Sequence, residues 1–379
     1  MKVYHSGSCN VHAGGPALST WLTIKGLRRQ GVTTSIIAPP NTGGNDLIDK
    51  EIAPMLTSKS ILPPFAYVPR LNKLLRSLPK PDIFHIQGVW MMHGYQVARF
   101  ARRNKIPYVV TLRGMLYPQA LAHHSMQKRL SMLLYQKKVL RDAAAIQCTC
   151  KEEMEHYRNL GFNNPVAIIP NPIETEPFAS QGVTLKEDFR IGYLGRVHPR
   201  KRVERLIYTV HHLKTDQQIP VSLLVIGSGD KEYENFLRNE VERLGLQAEV
   251  IFLGFLTGEE KSEAISSLSV LAVPSDFENF GNIVTEALSL GVPVIASKGM
   301  PWQELATHDC GWWIPNDQDS IDRTLTAAYG CGAERLEAMG RNGRKWMEED
   351  FSVEALGLKM KQLYEYILGE GSKPEFVYI

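Results

Sequence analysis

Short apolar runs alternate with amphipathic stretches along almost the whole chain. Many of the runs are rich in β-branched residues and end at glycine or proline, which is typical of buried parallel strands. They cover residues 2–5, 32–38, 82–86, 108–112, 143–149, 166–169, 189–194, 221–226, 250–253, 270–273 and 292–296. Between them, apolar positions recur at helical spacing, as in 18–27, 203–214 and 283–290. Strands that alternate with helices in this way predict doubly wound parallel sheets.

The pattern is interrupted between residues 175 and 188, where the chain is polar and contains proline. We interpret this stretch as a connection between two domains, residues 1–180 and 181–350. A length of 379 residues is enough for two or three domains that each bury a core. The last segment, 351–379, contains one more amphipathic helix over 353–368.

The composition is that of an ordinary globular protein, with 44% apolar and 22% charged residues. The chain has no apolar run long enough to span a membrane, and it enters a strand pattern without a basic and then apolar leader. We therefore expect a cytoplasmic protein. The five cysteines are scattered without the spacing of a zinc site, and the close pair Cys148 and Cys150 more plausibly packs than binds metal.

Charge is divided unequally along the chain. Residues 1–180 contain 22 Lys and Arg against 10 Asp and Glu, a net charge of +12, whereas the remainder contains 21 against 30, a net charge of −9. Two basic amphipathic stretches, 70–76 and 127–141, lie in the first part. The first domain is therefore expected to face an anionic acceptor or membrane surface. Alternatively, the division is incidental and the leucines of these stretches face the domain core.

The stretch after the predicted strand 270–273 is the most informative. A loop leads to a helix opened by the backbone amides of Phe280, Gly281 and Asn282, with Glu278 on the loop and Glu286 in the helix. Ligands of doubly wound sheets bind outside the carboxyl ends of the strands, and a helix N-terminus favours anions. The alternative is a loop glutamate and a solvated helix glutamate that bind nothing.

A second candidate follows the predicted strand 189–194. Gly195 ends this strand, and Arg196 and Lys201 lie on the loop that opens the next helix. Basic residues at a helix N-terminus oppose the helix dipole, an arrangement that is more readily maintained when an anion lies between them. The alternative is solvated charge.

Other strand ends carry weaker signals. Gly14 and Gly15 precede Pro16, but the chain lacks G-x-G-x-x-G there, which argues against nicotinamide binding. Arg113 follows the strand 108–112 and could pair with a phosphate or form a structural ion pair. Asp317-Gln-Asp319 precedes a helix from Ser320, so we interpret it as a helix cap rather than a metal site.

The pair Glu278 and Glu286, eight residues apart with phenylalanine and glycine between them, resembles the E-x7-E element of glycosyltransferase family 4 (group 1). Arg196 and Lys201 resemble the residues that hold the donor diphosphate in that family. The resemblance implies the GT-B fold: two Rossmann-like doubly wound parallel-sheet domains facing a central cleft. It also implies that the first domain binds the acceptor, the second binds the donor, and a C-terminal helix crosses back to the first.

The resemblance also implies roles for single residues. Glu278 would contact the donor sugar, Glu286 the ribose hydroxyls, and the loop at Gly14 and Gly15 would approach the donor phosphates. Strand ends at Gly227 and Phe255 would form the base pocket, largely through main-chain atoms. Many members carry histidine where this chain has Arg113; we keep Arg113 and Glu278 as the catalytic candidates.

The expected activity is retaining transfer of a hexosyl or related sugar from a UDP- or GDP-type donor to an acceptor hydroxyl. No metal or other cofactor and no nucleic acid is expected. The acceptor is expected on a lipid-linked or cell-surface polysaccharide precursor, with possible peripheral association with the inner face of the membrane. A sugar-nucleotide epimerase of the same fold and a non-catalytic nucleotide-sugar binding protein are the alternatives. The intact Glu278, Glu286, Arg196 and Lys201 argue against both.

Overall fold

The computed structural model describes residues 1–8, 15–38, 55–56, 60–61, 66–175 and 189–379. The described chain forms two compact units. The first unit comprises Met1–Pro172 together with Ser352–Ile379, and the second comprises Ile173–Phe351. Most of the connection expected over 175–188 lies outside the described residues, as does Gly14.

The first unit is built on an eight-stranded sheet with the strand order β14-β7-β6-β5-β4-β1-β2-β3. All its neighbouring strands pair in parallel except β14, which is antiparallel to β7. The strands are β1 Lys2–Ser6, β2 Thr33–Ala38, β3 Met55–Leu56, β4 Ile83–Gln87, β5 Tyr108–Thr111, β6 Ala145–Cys148, β7 Val166–Ile168 and β14 Val377–Tyr378.

Helices flank this sheet and bury its apolar side chains on both faces. They are α1 Gly15–Arg29, α2 Leu71–Ser77, α3 Met92–Arg103, α4 Pro118–Ala122, α5 Ser125–Ser131, α6 Lys137–Arg141, α7 Lys151–Asn159 and α14 Val353–Leu368. A π-helical turn, Met132–Gln136, joins α5 to α6. The C-terminal helix α14 shares an apolar cluster with α1, in which Leu27 packs with Leu356 and Leu363. The chain therefore returns to the first unit at its C-terminus.

The second unit is built on a six-stranded sheet with the order β10-β9-β8-β11-β12-β13, and all of its strand pairs are parallel. Its strands are β8 Phe189–Leu194, β9 Val221–Ile226, β10 Val250–Gly254, β11 Val270–Val273, β12 Val294–Ser297 and β13 Gly311–Ile314. Its α-helices are α8 Val203–Thr215, α9 Lys231–Arg243, α10 Gly258–Ser266, α11 Asn282–Ser289, α12 Gln318–Gly330 and α13 Gly332–Trp346.

The strand order of the second unit identifies its binding edge. Counted from β8, the order is 3-2-1-4-5-6, that of the doubly wound Rossmann fold, and the direction of winding reverses between β8 and β11. In such sheets the carboxyl ends of the two strands at the reversal border a ligand crevice. The prediction of doubly wound parallel sheets is confirmed, and the two most informative loops of the sequence follow β8 and β11.

Among the described residues, no helix combines the length and the apolar composition that crossing a bilayer requires.

Candidate functional site

Two loops lie side by side at the reversal point of the second sheet. The first follows β8 and includes a short 3-10 helix, Pro199–Lys201; the second follows β11 and leads to α11. The Asp276 amide donates to the Arg200 carbonyl at 2.9 Å, and Arg202 Nε donates to Asp276 Oδ2 at 2.7 Å. Main-chain and side-chain bonds therefore hold the loops in one arrangement.

The side chains of Lys201 and Glu278 meet within this arrangement. The Lys201 ammonium forms an ion pair with Glu278 Oε1, and the two side chains are only 15% and 20% exposed. Both side chains remain accessible to a ligand from solvent. Their partial burial strengthens the electrostatic attraction between the ammonium and the carboxylate. The structure thus brings together two residues that the sequence proposed separately, one for the diphosphate and one for the sugar.

The charge of Lys201 is sensitive to its surroundings. Burial, aided by the nearby charge of Arg200, lowers the pKa of Lys201 to about 8. The Glu278 carboxylate acts in the opposite direction, because an adjacent negative charge favours the ammonium. Lys201 is therefore protonated at neutral pH and begins to lose its charge in mildly alkaline solution.

This pKa leads to a prediction about pH. We expect the KM for a nucleotide-sugar donor to rise as the pH increases through about 8, since only the charged ammonium attracts phosphate. Above that pH the KM should level off at the value of a site without this charge, about 10- to 150-fold higher. Initial rates between neutral and alkaline pH would measure it. A Lys201→Arg variant is the control, because guanidinium stays charged throughout; a donor KM that is flat in the wild type would contradict the assignment.

The entrance to α11 depends on Gly281. This residue caps the helix with φ 81° and ψ 69°, a left-handed conformation that favours glycine. A Cβ at this position would also lie 2.5 Å from Cε of Met300. The Val284 amide already bonds the Gly281 carbonyl at 2.9 Å. Asn282 begins the helix, so the main chain around Gly281 and Asn282 presents the positive end of the helix dipole.

Phe280 occupies a different environment from its neighbour. Its side chain is 6% exposed and packs on Trp302, with ring centroids 5.1 Å apart. The ring therefore belongs to the core, and only the main chain of Phe280 can contribute to a binding site.

Glu286 is also paired with a lysine. Lys261 Nζ on α10 lies 2.7 Å from Glu286 Oε2, and the side chains are 28% and 17% exposed. Sequence reasoning missed Lys261, which lies in an unremarkable run of charged residues. The only available signal was its place in a helix that follows a strand end.

The remaining candidates of the second unit lie at neighbouring strand ends. A Cβ on Gly227 would lie 1.9 Å from the Gly195 carbonyl oxygen, so glycine allows these strand ends to approach closely. Arg196 is exposed beside them, and Phe255, just beyond β10, is 71% exposed. These groups border the same edge of the sheet as Lys201 and Glu278.

Arg113 belongs to the first unit and has a separate polar environment. It has φ 59°, and its guanidinium donates to Asn171 Oδ1 at 2.9 Å, Thr20 Oγ1 at 2.9 Å, Gln87 Oε1 at 2.8 Å and the Ser19 hydroxyl. All these acceptors are neutral. Burial lowers the pKa of Arg113 to about 10, so the group remains charged at neutral pH.

These bonds tie the end of β5 to α1, to the end of β4 and to the chain near residue 171. The buried carboxylate of Glu153 also acts electrostatically on Arg113 and favours its charged form, so the structural alternative from the sequence keeps an acidic partner. Gly15 begins α1 in the same unit, while Gly14 lies outside the described residues.

Within the described part of the chain, no group of three His, Cys, Asp or Glu side chains is arranged to hold a metal ion. Asp317 accepts a hydrogen bond from the Ser320 amide at 2.8 Å, at the start of α12. The predicted role of Asp317 as a helix cap is confirmed.

Two family models match the chain, one in each part of the sequence. Residues 14–172 match a family model described as a glycosyl transferase 4-like domain, and residues 175–346 match the model of glycosyl transferases group 1. The two models together span most of the chain.

Individual relatives are similar over long stretches. The capsular polysaccharide biosynthesis glycosyltransferase CapM of Staphylococcus aureus is 24% identical over 375 residues, 92% of this chain and 93% of the relative. A phosphatidyl-myo-inositol mannosyltransferase of Mycobacterium tuberculosis is 27% identical over 282 residues, 67% of this chain and 68% of the relative. The crystal structure of Anabaena HepE in complex with UDP has the same fold, with a TM-score of 0.78 at 17% identity over 96% of this chain and 99% of HepE.

Proposed function

This chain belongs to the group 1 glycosyl transferases, and from that premise we propose that it moves a hexosyl or related sugar, with retention, from a UDP- or GDP-type donor to an acceptor hydroxyl. Sugar transfer from a nucleotide-sugar follows from the family. The stereochemical retention, the identity of the sugar and the identity of the acceptor are our proposals. The observation that carries the proposal is the Lys201–Glu278 ion pair beside the N-terminus of α11, at the reversal point of the sheet.

In the proposed reaction, the bond between the anomeric carbon and the donor diphosphate breaks. The acceptor oxygen bonds to that carbon on the same face, and the hydroxyl proton passes to the departing phosphate oxygen. Negative charge therefore accumulates on the diphosphate. Lys201, Arg196 and the main-chain amides near Gly281 would stabilise that charge, a role that positioned cations and amides fill effectively.

The two carboxylates have different proposed roles. Glu278 would orient the sugar through its hydroxyls, and Glu286 would accept hydrogen bonds from the ribose. The lysines paired with them prevent the two acids from repelling an anionic donor. Gly227 and Phe255 would border the base. With cationic side chains opposite the leaving group, we propose that the reaction requires no metal ion.

For the first unit, we propose that Arg113 has a catalytic role and that Gly15, at the start of α1, contributes to donor binding. Arg113→Lys is informative because it retains charge but cannot reproduce the four hydrogen bonds of the guanidinium. A loss of kcat with unchanged thermal stability would support a catalytic role. Equal losses of stability and activity would indicate that Arg113 has only a structural role.

One experiment tests the reaction class. Release of the nucleoside diphosphate is measured from a panel of UDP- and GDP-sugars, with and without an acceptor extract, in EDTA. Acceptor-dependent release in EDTA supports the proposal, and mass spectrometry and NMR of the product give the sugar and the anomeric configuration. Acceptor-independent release with a free altered sugar indicates an epimerase, and binding without release indicates a non-catalytic protein. Rescue by Mg²⁺ or Mn²⁺ alone contradicts metal independence.

We further propose that the acceptor is presented at a lipid surface. The segment from α5 to α6 exposes four large apolar side chains: Met126 at 82%, Leu130 at 48%, Leu133 at 80% and Leu134 at 67%. These residues do not face the domain core. The basic stretch at 70–76 is different, because its Leu71 and Leu75 are 2% and 3% exposed and belong to the core.

Exposed basic side chains lie on the same segment as the exposed apolar residues. Arg129 and Lys137 are exposed, Lys138 and Arg141 are 55% and 64% exposed, and the latter two contact Asp142. An apolar patch with basic residues on the same segment is complementary to an anionic leaflet, which contributes about 1 kcal/mol for each nearby Lys or Arg. Similarity to a mannosyltransferase named for a phospholipid is consistent with this proposal.

We expect the protein to float with anionic liposomes, less strongly as salt increases, and not with neutral ones. The variant Leu133→Ser, Leu134→Ser, Arg129→Glu, Lys137→Glu should remain folded and lose this binding. The variant Arg341→Glu, Lys345→Glu is the control, because both residues are exposed bases on α13 of the second unit. Equal binding by the two variants would contradict the proposed surface. Self-association that the first variant abolishes would assign the patch to a second copy instead.

A further inference from the structure

Trp302 lies in the loop after β12 and connects the candidate site to the core of the second unit. It is 2% exposed, and its indole N–H donates a hydrogen bond to the Phe280 carbonyl. Phe280 is the residue immediately before Gly281, the cap of α11. Trp302 is thus a buried residue bonded to the main chain of the candidate site.

The position of the indole is determined by close packing. Its ring lies 5.1 Å from that of Phe280, 5.7 Å from that of Phe351 and 5.8 Å from that of Trp346, measured between centroids. Such a cluster allows little rotation of the tryptophan ring, since interiors are densely packed. The hydrogen bond therefore joins the Phe280 carbonyl to an indole that packing holds in one position.

The direction of that carbonyl determines the direction of the next amide. In a trans peptide unit, the C=O and N–H bonds point in opposite directions. Because the Phe280 carbonyl points toward buried Trp302, the Gly281 N–H points away from the cluster. At the start of a helix this direction suits an anionic ligand.

We propose that Trp302 is a positioning residue for the donor phosphates, acting through the Phe280–Gly281 peptide. The inference rests on the proposed function, in which amides near Gly281 contact the leaving diphosphate. Without the indole donor, the peptide can rotate, and the Phe280 carbonyl is left without its buried partner. The amide would then contact phosphate less often, while contacts to the base and ribose would be unaffected.

The test is Trp302→Phe, which removes the N–H donor and retains an aromatic ring. UDP and GDP are titrated into the wild type, and the tighter ligand is used together with its nucleoside. We expect the Kd of the diphosphate to rise about tenfold, as for loss of one buried hydrogen bond, with an unchanged Kd for the nucleoside. In steady state, the donor KM should rise more than kcat falls.

Trp346→Phe is the matched control. Its indole belongs to the same cluster but donates to Asp350 Oδ2 at 3.1 Å, away from Phe280. Trp346→Phe should lower thermal stability about as much as Trp302→Phe does, without changing the affinity for the diphosphate. If Trp302→Phe does not fold, benzothienylalanine at position 302 replaces the N–H by sulfur with almost the same shape and supplies the same comparison.

The inference is overturned if the Trp302 variant binds the diphosphate as the wild type does. It is also overturned if diphosphate and nucleoside weaken equally, or if Trp346→Phe weakens the diphosphate as much. These outcomes are distinct from failure of the proposed function. If the proposed function fails, the wild type itself binds neither UDP nor GDP, or Lys201→Met and Glu278→Gln retain normal donor affinity and turnover.

Discussion

Glu278→Gln is expected to fold and to lose most sugar transfer. Loss of one positioned polar contact in the transition state costs roughly 2 to 4 kcal/mol, or about 30- to 1000-fold in rate. The glutamine has almost the shape of glutamate but cannot neutralise Lys201, its ion-pair partner. Both kcat and kcat/KM should fall, because the carboxylate is proposed to act on the sugar as the bond to diphosphate breaks. Steady-state kinetics with the identified donor measures the effect.

Glu249→Gln controls for the loss of a lysine-paired carboxylate. Glu249 pairs with Lys214 at 2.5 Å and is 19% exposed, close to the 20% of Glu278, but it lies at the opposite, amino end of β10. Glu249→Gln should reduce thermal stability slightly and leave turnover unchanged. Near-normal turnover of Glu278→Gln with normal donor affinity would remove Glu278 from the site.

Lys201→Met is expected to weaken the binding of nucleoside diphosphate strongly. A charged hydrogen bond of this kind contributes about 1.5 to 3 kcal/mol, so the Kd should rise by roughly 10- to 150-fold. The variant also leaves Glu278 unpaired in a partly buried position, where its negative charge repels the diphosphate. Calorimetric titration with UDP and GDP measures the loss of affinity.

Stability needs a separate control, because breaking an ion pair also affects folding. Lys214→Met breaks the pair with Glu249, at the opposite edge of the sheet, and should leave nucleotide affinity unchanged. An unchanged Kd in Lys201→Met would show that the ammonium does not contact the diphosphate. The proposed diphosphate site would then have to be abandoned.

Local patterns in the sequence determined the elements of the fold. Strand 270–273 was predicted from its β-branched run and the proline that follows, and helix 353–368 from apolar spacing; both have these bounds in the structure. The start of a helix near Gly281 and the cap at Asp317 were also predicted from sequence, because each reflects chemistry within a few neighbouring residues. Doubly wound sheets followed from the alternation of strands and helices.

The partners of the site residues were decided by tertiary structure. Lys201 meets Glu278 because β8 and β11 are neighbours in the sheet, although β9 and β10 separate them along the chain. The pairing of Lys261 with Glu286 and the bond from Trp302 to Phe280 likewise join different elements. Residue identities at these positions carry no local pattern that specifies a partner.

The two basic amphipathic stretches, 70–76 and 127–141, show most directly that local sequence does not determine tertiary contacts. Both have leucines and basic residues at helical spacing, yet Leu71 and Leu75 are buried whereas Leu133 and Leu134 are exposed. Periodicity determines that apolar side chains share one face of a helix, and the sequence alone was sufficient for that. Whether the face is covered depends on which other elements pack against it, and this is established only when distant parts of the chain come together.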